Sequence, residues 1–536
     1  MAISLWVDGE AVDLDDDGAS LLEALRDRLG RRSAKDGCSP QGQCGCCTVL
    51  IDGVARVACV TPVRRVAGRR VTTLDGLDPA VRLRWAETFA EHGASQCGFC
   101  TPGIIMRLAA LAAVGPLTPD QVRASLVAHL CRCTGWQTIV DAAVAAVAAG
   151  GPAAGPAAAP AVGRTPERDW AAATRRATIE GGAPQRVGPD VALGEGGFAD
   201  DTAPRDALVA VPRADGGWAV AETLAAARAE AGKVQGRRTT ARLTWPLEVP
   251  PGDWDVVLRT TWVEPAYLEP DASWCRPGGE PATPLANGGA FGGKVASPAA
   301  DAARRLADLH GRPVRVVLAR EDVVRQGSKR PPIAAGVRAD GTGVIRVVRT
   351  AGIARVINSV APGLRVEEID VAGPPTSVAI RAAGWAEAAI LLVASPWAAA
   401  PVAPASAGRV SVTIVSPWGS RASATVAPSG AIHLSVEAGA VLDATVLRSY
   451  CIGAAHQALG WVTSEGLALG ADGVPEDLTI RSFGVLRARD MPDVTVELID
   501  GSGPPVNGSD AVLAAVAAAV WIARGLPPTW PTTRSD

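Results

Sequence analysis

The placement of the cysteines constrains this chain more than any other feature. Nine of the 11 cysteines lie before residue 134, although the chain has 536 residues. Disulfide scaffolds are typical of small secreted domains, and the N-terminal residues show no basic segment followed by an apolar run. We therefore interpret the clustered cysteines as metal ligands. They form two groups, at positions Cys38, Cys44, Cys46, Cys47 and Cys59 and at positions Cys97, Cys100, Cys131 and Cys133.

The first group has nearly the spacing of a plant-type [2Fe–2S] site, in which one loop supplies three thiolates and a later strand supplies the fourth. The gap after Cys38 is one residue longer than in that pattern, whereas Cys44 and Cys47 keep the two-residue gap. Cys46 is an additional cysteine in the same loop. The spacing predicts four ligands, which are Cys38, Cys44, Cys47 and Cys59.

The second group combines a C-x2-C pair with a C-x-C pair, and each pair lies beside a predicted helix. Together they predict a second [2Fe–2S] cluster with the ligands Cys97, Cys100, Cys131 and Cys133. Zinc in one or both groups is the alternative, because zinc also binds four cysteines. The C-x-C pair and the loop of the first group argue against zinc.

Hydrophobic periodicity and turn signals divide the chain into segments. Two hairpin signals, at Asp8–Gly9 and Asp52–Gly53, and an amphipathic helix at Ser20–Leu29 predict a β-grasp ferredoxin fold. The following segment predicts helices, one of which begins with the capping box at Thr118. We expect these domains: 1–75 ferredoxin-like, 76–149 helical, 150–165 an Ala/Gly/Pro linker, and 166–536 a long mixed α/β region.

Charge and hydropathy exclude several classes of function. The chain has 52 basic and 55 acidic residues, so neither a nucleic-acid binder nor a redox sensor on nucleic acid is expected. The most apolar stretch, 388–408, contains Pro396, Pro401 and Pro404, which argue against a membrane helix. We expect a cytoplasmic protein that binds no membrane; the sequence leaves an oligomer open.

The two cysteine motifs together resemble the iron–sulfur domains of the xanthine oxidase/aldehyde oxidoreductase family of molybdenum hydroxylases. The resemblance covers about residues 1–150. It implies that the helical-domain cluster lies next to a molybdopterin, which Gln96 and Cys133 approach, and that the other cluster lies toward a flavin. The chain departs from the family in its long first gap and in His129, where the family usually has Asn.

The remainder of the chain is also similar to this family. Glu264–Pro270 is similar to the family's His-Ala-Tyr-Leu-Glu-Pro segment, and Gly311–Val314 leads into Arg320–Asp322 as in the family. The family's glycine-rich loop beside the metal is matched by Gly288, Gly289, Ala290, Phe291, Gly292, Gly293 and Lys294. The insert after Cys275 is much shorter than in the family, and no flavin domain follows the linker.

The resemblance implies an α+β multidomain protein: a β-grasp [2Fe–2S] domain, a four-helix [2Fe–2S] domain and a shortened, two-lobed α/β molybdopterin-binding domain. The implied reaction is hydroxylation of an aldehyde or N-heterocycle with water as the oxygen source. Electrons would leave singly through the two clusters. The molybdopterin is expected in a dinucleotide form, and FAD is expected only on a separate partner subunit. The alternative is an electron-transfer subunit with a degenerate molybdopterin domain.

Two candidate catalytic residues follow from the resemblance. Asp510 stands near the position of the family's glutamate base, and Arg381 matches an arginine near the substrate. Alternatively, Ser509 or Asp510 is the N-cap of the helix that follows, and Arg381 is a solvated surface residue. For the glycine-rich loop, the alternatives are a plain tight turn or a nucleotide triphosphate loop. Val295 stands where a phosphate loop needs Ser or Thr.

Overall fold

The computed structural model describes residues 2–148, 168–233, 241–283, 289–400 and 408–533. The predicted linker and Gly288 of the glycine-rich loop lie outside these residues. The described residues form an α+β architecture with four sheets, as the sequence predicts.

The first region is a five-stranded sheet with the order β2-β1-β5-β3-β4. Both predicted hairpins form, and their turn residues Asp8, Gly9, Asp52 and Gly53 have positive φ angles, as type I′ turns require. The predicted helix begins at α1 (Leu21–Glu23), where the Ser20 hydroxyl accepts the Glu23 N–H, and continues as a π-helix over Ala24–Arg28. The strands are β1 (Ala2–Val7), β2 (Glu10–Asp15), β3 (Thr48–Ile51), β4 (Val54–Val57) and β5 (Arg70–Thr72).

The second region contains the four predicted helices. The Thr118 hydroxyl accepts the Gln121 N–H, and the Gln121 side chain accepts the Thr118 N–H, so the predicted capping box is present. The helix α3 packs on strand β3 and joins the two regions. The helices are α2 (Pro79–Glu91), α3 (Thr101–Ala112), α4 (Pro119–Ser125) and α5 (Gln137–Ala148).

The residues from 168 onward form three further sheets with the orders β7-β6-β10-β9, β13-β12-β11-β8-β18 and β14-β15-β16-β17. The strands are β6 (Leu208–Pro212), β7 (Trp218–Ala221), β8 (Val256–Thr260), β9 (Ala272–Cys275), β10 (Val314–Val317), β11 (Ile333–Val337), β12 (Gly343–Val348), β13 (Leu364–Ile369), β14 (Val410–Val415), β15 (Arg421–Val426), β16 (Ile432–Glu437), β17 (Val494–Ile499) and β18 (Thr529–Trp530).

The helices of this region cover these sheets and include two almost fully buried ones. They are α6 (Trp170–Gly181), α7 (Pro189–Ala192), α8 (Ala199–Thr202), α9 (Leu224–Glu230), α10 (Ala299–His310), α11 (Arg320–Gln326), α12 (Ile353–Val360), α13 (Trp385–Ala399), α14 (Ala444–Thr463) and α15 (Ser509–Ala523). The apolar α15 packs on β14, β15, α13 and α14, so its uninterrupted hydrophobic surface is explained by burial within the protein.

Helix α13 continues past Pro396, which lies inside it. The missing N–H of Pro396 would leave the Leu392 carbonyl unpaired, and the Ser395 hydroxyl donates to that carbonyl instead at 3.3 Å. Within the described residues, no helix is both long and apolar enough to cross a membrane. The cytoplasmic location stays a prediction.

The long helix α14 joins the iron–sulfur regions to the rest of the chain. Gly453 lies in this helix, and a Cβ there would overlap the Cys133 carbonyl oxygen. The backbone of α14 therefore lies directly against the C-x-C loop, which only glycine permits.

Candidate functional site

The first cysteine group converges below the ferredoxin-like sheet. Cys38 forms thiol hydrogen bonds with Cys44 and with Cys59, and Cys59 forms one with Cys47, so the four predicted ligands make one continuous set of sulfurs. Hydrogen bonds from the Cys44 and Cys59 thiols hold the pKa of Cys38 well below its usual range. All four side chains are buried.

Backbone amides point at these sulfurs. Cys38 Sγ accepts the N–H of Gln41 at 3.2 Å and of Gln43 at 3.5 Å, and Cys47 Sγ accepts the N–H of Cys59 at 3.4 Å. Such amides stabilise the negative charge of ligating thiolates. The sulfur of Cys46 meets only that of Cys44 in this set. This arrangement supports the assignment of Cys47 as the fourth ligand.

The second group converges between α3 and the C-x-C loop. Cys131 forms hydrogen bonds with Cys100 and Cys133, and the sulfurs of Cys133 and Cys97 are 3.6 Å apart. Two thiolates on one tetrahedral metal with bonds of about 2.3 Å would be about 3.8 Å apart. The hydrogen bond from the Cys100 thiol is the largest of several effects that hold the pKa of Cys131 well below its usual range.

Each cysteine group supplies four buried sulfurs in one connected set. Four thiolates are the ligand set of a [2Fe–2S] cluster. The cysteines therefore fit the implied clusters.

The two cysteine groups are connected directly. The N–H of Leu130, which precedes Cys131, donates to the Cys44 carbonyl at 3.0 Å. The ring of His129 lies against Gly45, and its Nε2 is 3.2 Å from the Thr48 hydroxyl. Burial lowers the pKa of His129 to about 4, so this histidine is neutral at physiological pH.

A small cavity that is partly open lies beside Arg132, between the last two cysteines of the second group. Its volume is about 40 Å³. Arg132, between Cys131 and Cys133, crosses the cavity wall and makes two hydrogen bonds with Glu465 at 2.6 and 2.8 Å. The other polar residues of the lining are Glu264, Arg330, Arg381 and Gln457.

The structure brings Asp510 to Arg381, which lines this cavity. Arg381 Nε donates to Asp510 Oδ1 at 2.9 Å, and its Nη2 donates to the Ser509 hydroxyl. Arg381 is only 6% exposed, so the alternative of a solvated surface residue is wrong. Its guanidinium carbon lies 4.4 Å from the centre of the Phe291 ring.

The N-cap alternative for Ser509 and Asp510 is also wrong. The N-cap of α15 is Gly508, and Glu180 accepts the N–H groups of Gly508 and Ser509 at 3.0 and 2.9 Å. The side chain of Asn507 accepts the Asp510 N–H at 2.9 Å. Glu180 and Asn507 thus accept the first N–H groups of the helix, so the Asp510 carboxylate is not needed as a helix cap.

The glycine-rich loop packs against protein. A Cβ at Gly289 would lie 3.0 Å from Arg132 Cβ and 3.1 Å from Cys133 Sγ, and one at Gly292 would overlap the Ala379 carbonyl oxygen. Gly293 approaches Pro265 similarly, while Ala290 and Phe291 line the cavity. The glycines are therefore explained by contacts between loops, a reason that the sequence did not reveal.

The lysine of this loop has a partner inside the protein. Lys294 Nζ donates to Glu269 at 2.6 Å and lies 5.1 Å from the centre of the Tyr267 ring. Both neighbours are buried. A phosphate-binding lysine would instead point toward a ligand, so the geometry disfavours the triphosphate alternative.

Gln96 and Cys133 meet where the resemblance implies a pterin. Gln96 Nε2 donates to the Cys133 carbonyl at 3.1 Å and to the Ser449 hydroxyl at 3.0 Å. Gln185 Nε2 donates to the Gln96 carbonyl at 2.9 Å. The side-chain oxygens of both glutamines are buried and have no hydrogen-bond partner among the described residues. They are acceptors that suit the N–H groups of a pterin.

The cavity beside Arg132 is small. A buried water needs about 10–15 Å³, so a cavity of about 40 Å³ holds only a few waters. Gln96 and Gln185 do not line this cavity, so its volume does not measure the space beside their unpaired oxygens. The polar groups match the implied cofactor.

Several residues of this site were missed by sequence reasoning. Glu465 and Gln185 stand in no recognisable motif, and only the fold brings them to Arg132 and Gln96. Arg132 could have been predicted as a site residue from the sequence, because it lies between two predicted cluster ligands.

Comparisons with known proteins agree with the cysteine sites. A family model described as a [2Fe-2S] binding domain matches residues 73–144. The xanthine dehydrogenase iron-sulfur-binding subunit of Escherichia coli O157:H7 is 43% identical over 128 residues, which cover 23% of this chain and 79% of that protein. A nicotinate dehydrogenase subunit of Pseudomonas putida is 43% identical over 134 residues, with coverages of 24% and 85%.

The aldehyde oxidoreductase of Megalodesulfovibrio gigas is 39% identical over 150 residues, but these cover only 27% of this chain and 16% of that protein. The solved aldehyde oxidoreductase from Desulfovibrio gigas has a TM-score of 0.69 at 15% identity, over 100% of this chain and 99% of that one. This second match concerns the fold alone. The sequence matches over the cysteine regions confirm that the chain belongs to the xanthine oxidase/aldehyde oxidoreductase family of molybdenum hydroxylases.

Proposed function

We propose that this chain is an oxidoreductase that oxidises an aldehyde or N-heterocycle at the cavity beside Arg132 and passes the electrons through two [2Fe–2S] clusters. The observation that carries the proposal is the ion pair between the partly buried Asp510 and the buried Arg381, which lines the same cavity as Arg132, the residue between Cys131 and Cys133. A carboxylate held by one arginine, next to an electron-accepting cluster, is the arrangement that proton removal coupled to oxidation requires.

Each group has a role in this proposal. The clusters would be held by Cys38, Cys44, Cys47 and Cys59 and by Cys97, Cys100, Cys131 and Cys133, and they would accept one electron at a time. A bound molybdopterin, expected in a dinucleotide form, would supply two-electron oxidation with water as the oxygen source. Gln96, Gln185, Cys133 and the loop from Gly288 to Gly293 would hold it.

The chain's own residues would prepare the substrate. Asp510 would accept a proton at Oδ2, because Oδ1 already accepts the Arg381 N–H. Nη1 of Arg381 and Nη2 of Arg330 are buried donors without partners among the described residues, and both residues line the cavity. These N–H groups would bind the carbonyl or ring acceptor of the substrate, since an unpaired buried donor is otherwise costly.

We also propose that electrons leave through a separate FAD-binding subunit. Two relatives of the iron–sulfur regions are themselves named as subunits, which supports a divided enzyme. The chain as purified should then contain no stoichiometric FAD, and an added flavoprotein partner should oxidise its reduced clusters. Stoichiometric FAD in the isolated chain would contradict this arrangement.

A second candidate is an electron-transfer subunit whose molybdopterin region holds no cofactor. The observation that favours it is the small volume of the cavity, about 40 Å³, and the Arg132–Glu465 pair in its lining.

One experiment separates the two candidates. The full chain is produced with molybdenum cofactor supplied, and its iron, acid-labile sulfide, molybdenum and released pterin are measured. The purified chain is then mixed anaerobically with aldehydes and N-heterocycles while the cluster absorbance is followed. About four irons with about one molybdenum, and bleaching by a substrate, support the proposed enzyme. About four irons without molybdenum, with bleaching only by a chemical reductant, support the second candidate.

A further inference from the structure

The buried arginines of this protein are almost all paired with a carboxylate. Seven described arginines are buried, and six of them form an ion pair with Asp or Glu. The paired ones are Arg26, Arg132, Arg176, Arg315, Arg330 and Arg381. Arg320 has a relative exposure of 0%, yet no carboxylate of the described residues lies within ion-pair distance.

The guanidinium of Arg320 bonds only to main-chain oxygens. Arg320 begins α11, and its Nη2 donates to the Gly37 carbonyl at 2.6 Å and to the Leu268 carbonyl at 3.0 Å. Its Nε and Nη1 have no hydrogen-bond partner among the described residues. The nearest ring, that of Tyr267, is 5.8 Å from the guanidinium carbon. Arg320 thus carries a buried positive charge with no carboxylate of the described residues within ion-pair distance.

The contact with Gly37 places this charge beside the first cysteine group. Gly37 directly precedes Cys38, and a Cβ on Gly37 would lie 3.0 Å from the sulfurs of both Cys44 and Cys46. Only one residue therefore separates the guanidinium from the sulfurs of the ferredoxin-like site.

Burying an unpaired cation costs a large amount of free energy, because the charge loses its hydration without gaining a partner. A [2Fe–2S] cluster with four thiolates has a net negative charge, which increases by one unit when the cluster is reduced. The cluster and Arg320 are thus complementary, and each supplies the charge that the other needs.

We propose that Arg320 is the counter-cation of the ferredoxin-like cluster and raises the reduction potential of that cluster. Arg320 lies in the part of the chain that resembles the molybdopterin domain. This inference rests on the proposed cluster at Cys38, Cys44, Cys47 and Cys59. An electron on that cluster is stabilised by the nearby charge, so Arg320 favours electron flow outward from the helical-domain cluster. A residue from the part of the chain after residue 168 thereby changes the reduction potential of a cluster whose ligands all lie before residue 60.

The test is a redox titration of the full chain, followed by EPR, in which the two reduced clusters are measured separately. The signal that disappears in Cys44→Ser identifies the ferredoxin-like cluster. Arg320→Gln keeps a side-chain donor for a carbonyl but removes the charge. We expect it to shift the reduction equilibrium of this cluster by about tenfold toward the oxidised form, which is about 59 mV for one electron, and to shift the helical-domain cluster much less.

Two further variants make the result specific. Arg320→Lys keeps the charge and should have nearly the parent potential. Arg481→Gln is the matched control: Arg481 Nε donates to the Gln43 carbonyl of the same loop at 2.8 Å, but Arg481 is partly exposed, so solvent should weaken its effect.

Iron analysis of the parent chain separates failure of this inference from failure of the proposed function. About four irons in the parent, with an unchanged potential in Arg320→Gln, overturn the counter-cation alone. Equal shifts of both clusters in that variant overturn it as well. If Arg320→Gln loses its clusters, the Lys variant decides, because a parent-like potential supports a charge effect and a lowered potential overturns it. A parent chain without iron overturns both inferences.

Discussion

The two cysteine groups and the cavity beside Arg132 differ in what their side chains face. In residues 2–148, four sulfurs of each group face one another, and amides point at them from the surrounding loops. At the cavity, the charged side chains face one another, as Arg132 does with Glu465 and Arg381 with Asp510. The first arrangement is incomplete without a metal cluster, whereas the second is largely self-paired. The iron–sulfur assignment is therefore the stronger one.

The largest expected effect is the loss of a cluster. Cys44→Ser and Cys97→Ser should each reduce iron from about four to about two per chain, because a serine replaces one of four thiolates. Iron and sulfide analysis measures this change. The matched control is Cys46→Ser, which should keep both clusters, since the Cys46 sulfur meets only Cys44 in its set. Loss of iron in Cys46→Ser, with normal iron in Cys47→Ser, would reverse the ligand assignment.

The second prediction asks whether the cavity is self-paired. Glu465→Gln leaves Arg132 buried without its carboxylate, which should lower the free energy of unfolding by about 3 kcal/mol. Denaturant unfolding of the parent and the variant measures the difference. A change below about 0.5 kcal/mol would mean that the pair opens in solution, and the cavity would then admit a larger ligand. Glu248→Gln, at an exposed pair with Arg259, is the control and should be nearly neutral.

The same contrast explains how much the sequence revealed. Cysteine spacing, hairpin turns and a capping box are local signals, so they predicted the two cysteine groups, the β-grasp sheet and the start of α4. Glu465 and Gln185 carry no local signal, because their roles depend on contacts with Arg132 and Gln96, more than 80 residues away in each case. The glycines at 289 and 292 were noticed through the family's loop, whereas their close contacts with Arg132, Cys133 and Ala379 are visible only in the fold.

The third prediction concerns the proposed base. Asp510→Asn keeps an oxygen for the Arg381 N–H but cannot take a proton, so substrate-driven reduction of the clusters should slow by about 10² or more. Iron, molybdenum and melting temperature should change little. Asp510→Glu restores the longer side chain of the family and should retain more activity than the Asn variant.

Asn507→Ala is the matched control for Asp510. It removes the oxygen that accepts the Asp510 N–H and should cost about 1 kcal/mol of stability with little kinetic effect. If Asp510→Asn slows cluster reduction by less than about twofold, Asp510 is not the base. The main argument that catalysis takes place at the cavity would then be wrong.

The smallest expected effect is a pH dependence of stability, and it compares a buried carboxylate with a partly buried one. Burial raises the pKa of Glu269 to about 7, and the neighbouring cation Lys294 offsets this only in part. Asp200 is partly buried, and Arg26 and Arg315 outweigh the effect of burial and lower its pKa to about 2. Glu269 therefore favours the folded state when protonated, and this contribution is lost as the pH rises from its unfolded pKa of about 4.5 through 7. The contribution of Asp200 is complete above its unfolded pKa and is lost only in strong acid.

Between pH 5 and 8, the unfolding free energy of the parent should fall relative to Glu269→Gln by about 2 kcal/mol. The difference between the parent and Asp200→Asn should stay constant over the same range. Chemical denaturation at four or five pH values measures both differences. A constant difference for Glu269→Gln would mean that Lys294 keeps Glu269 ionised, and the buried pair would then be as fully compensated as the one at Asp200.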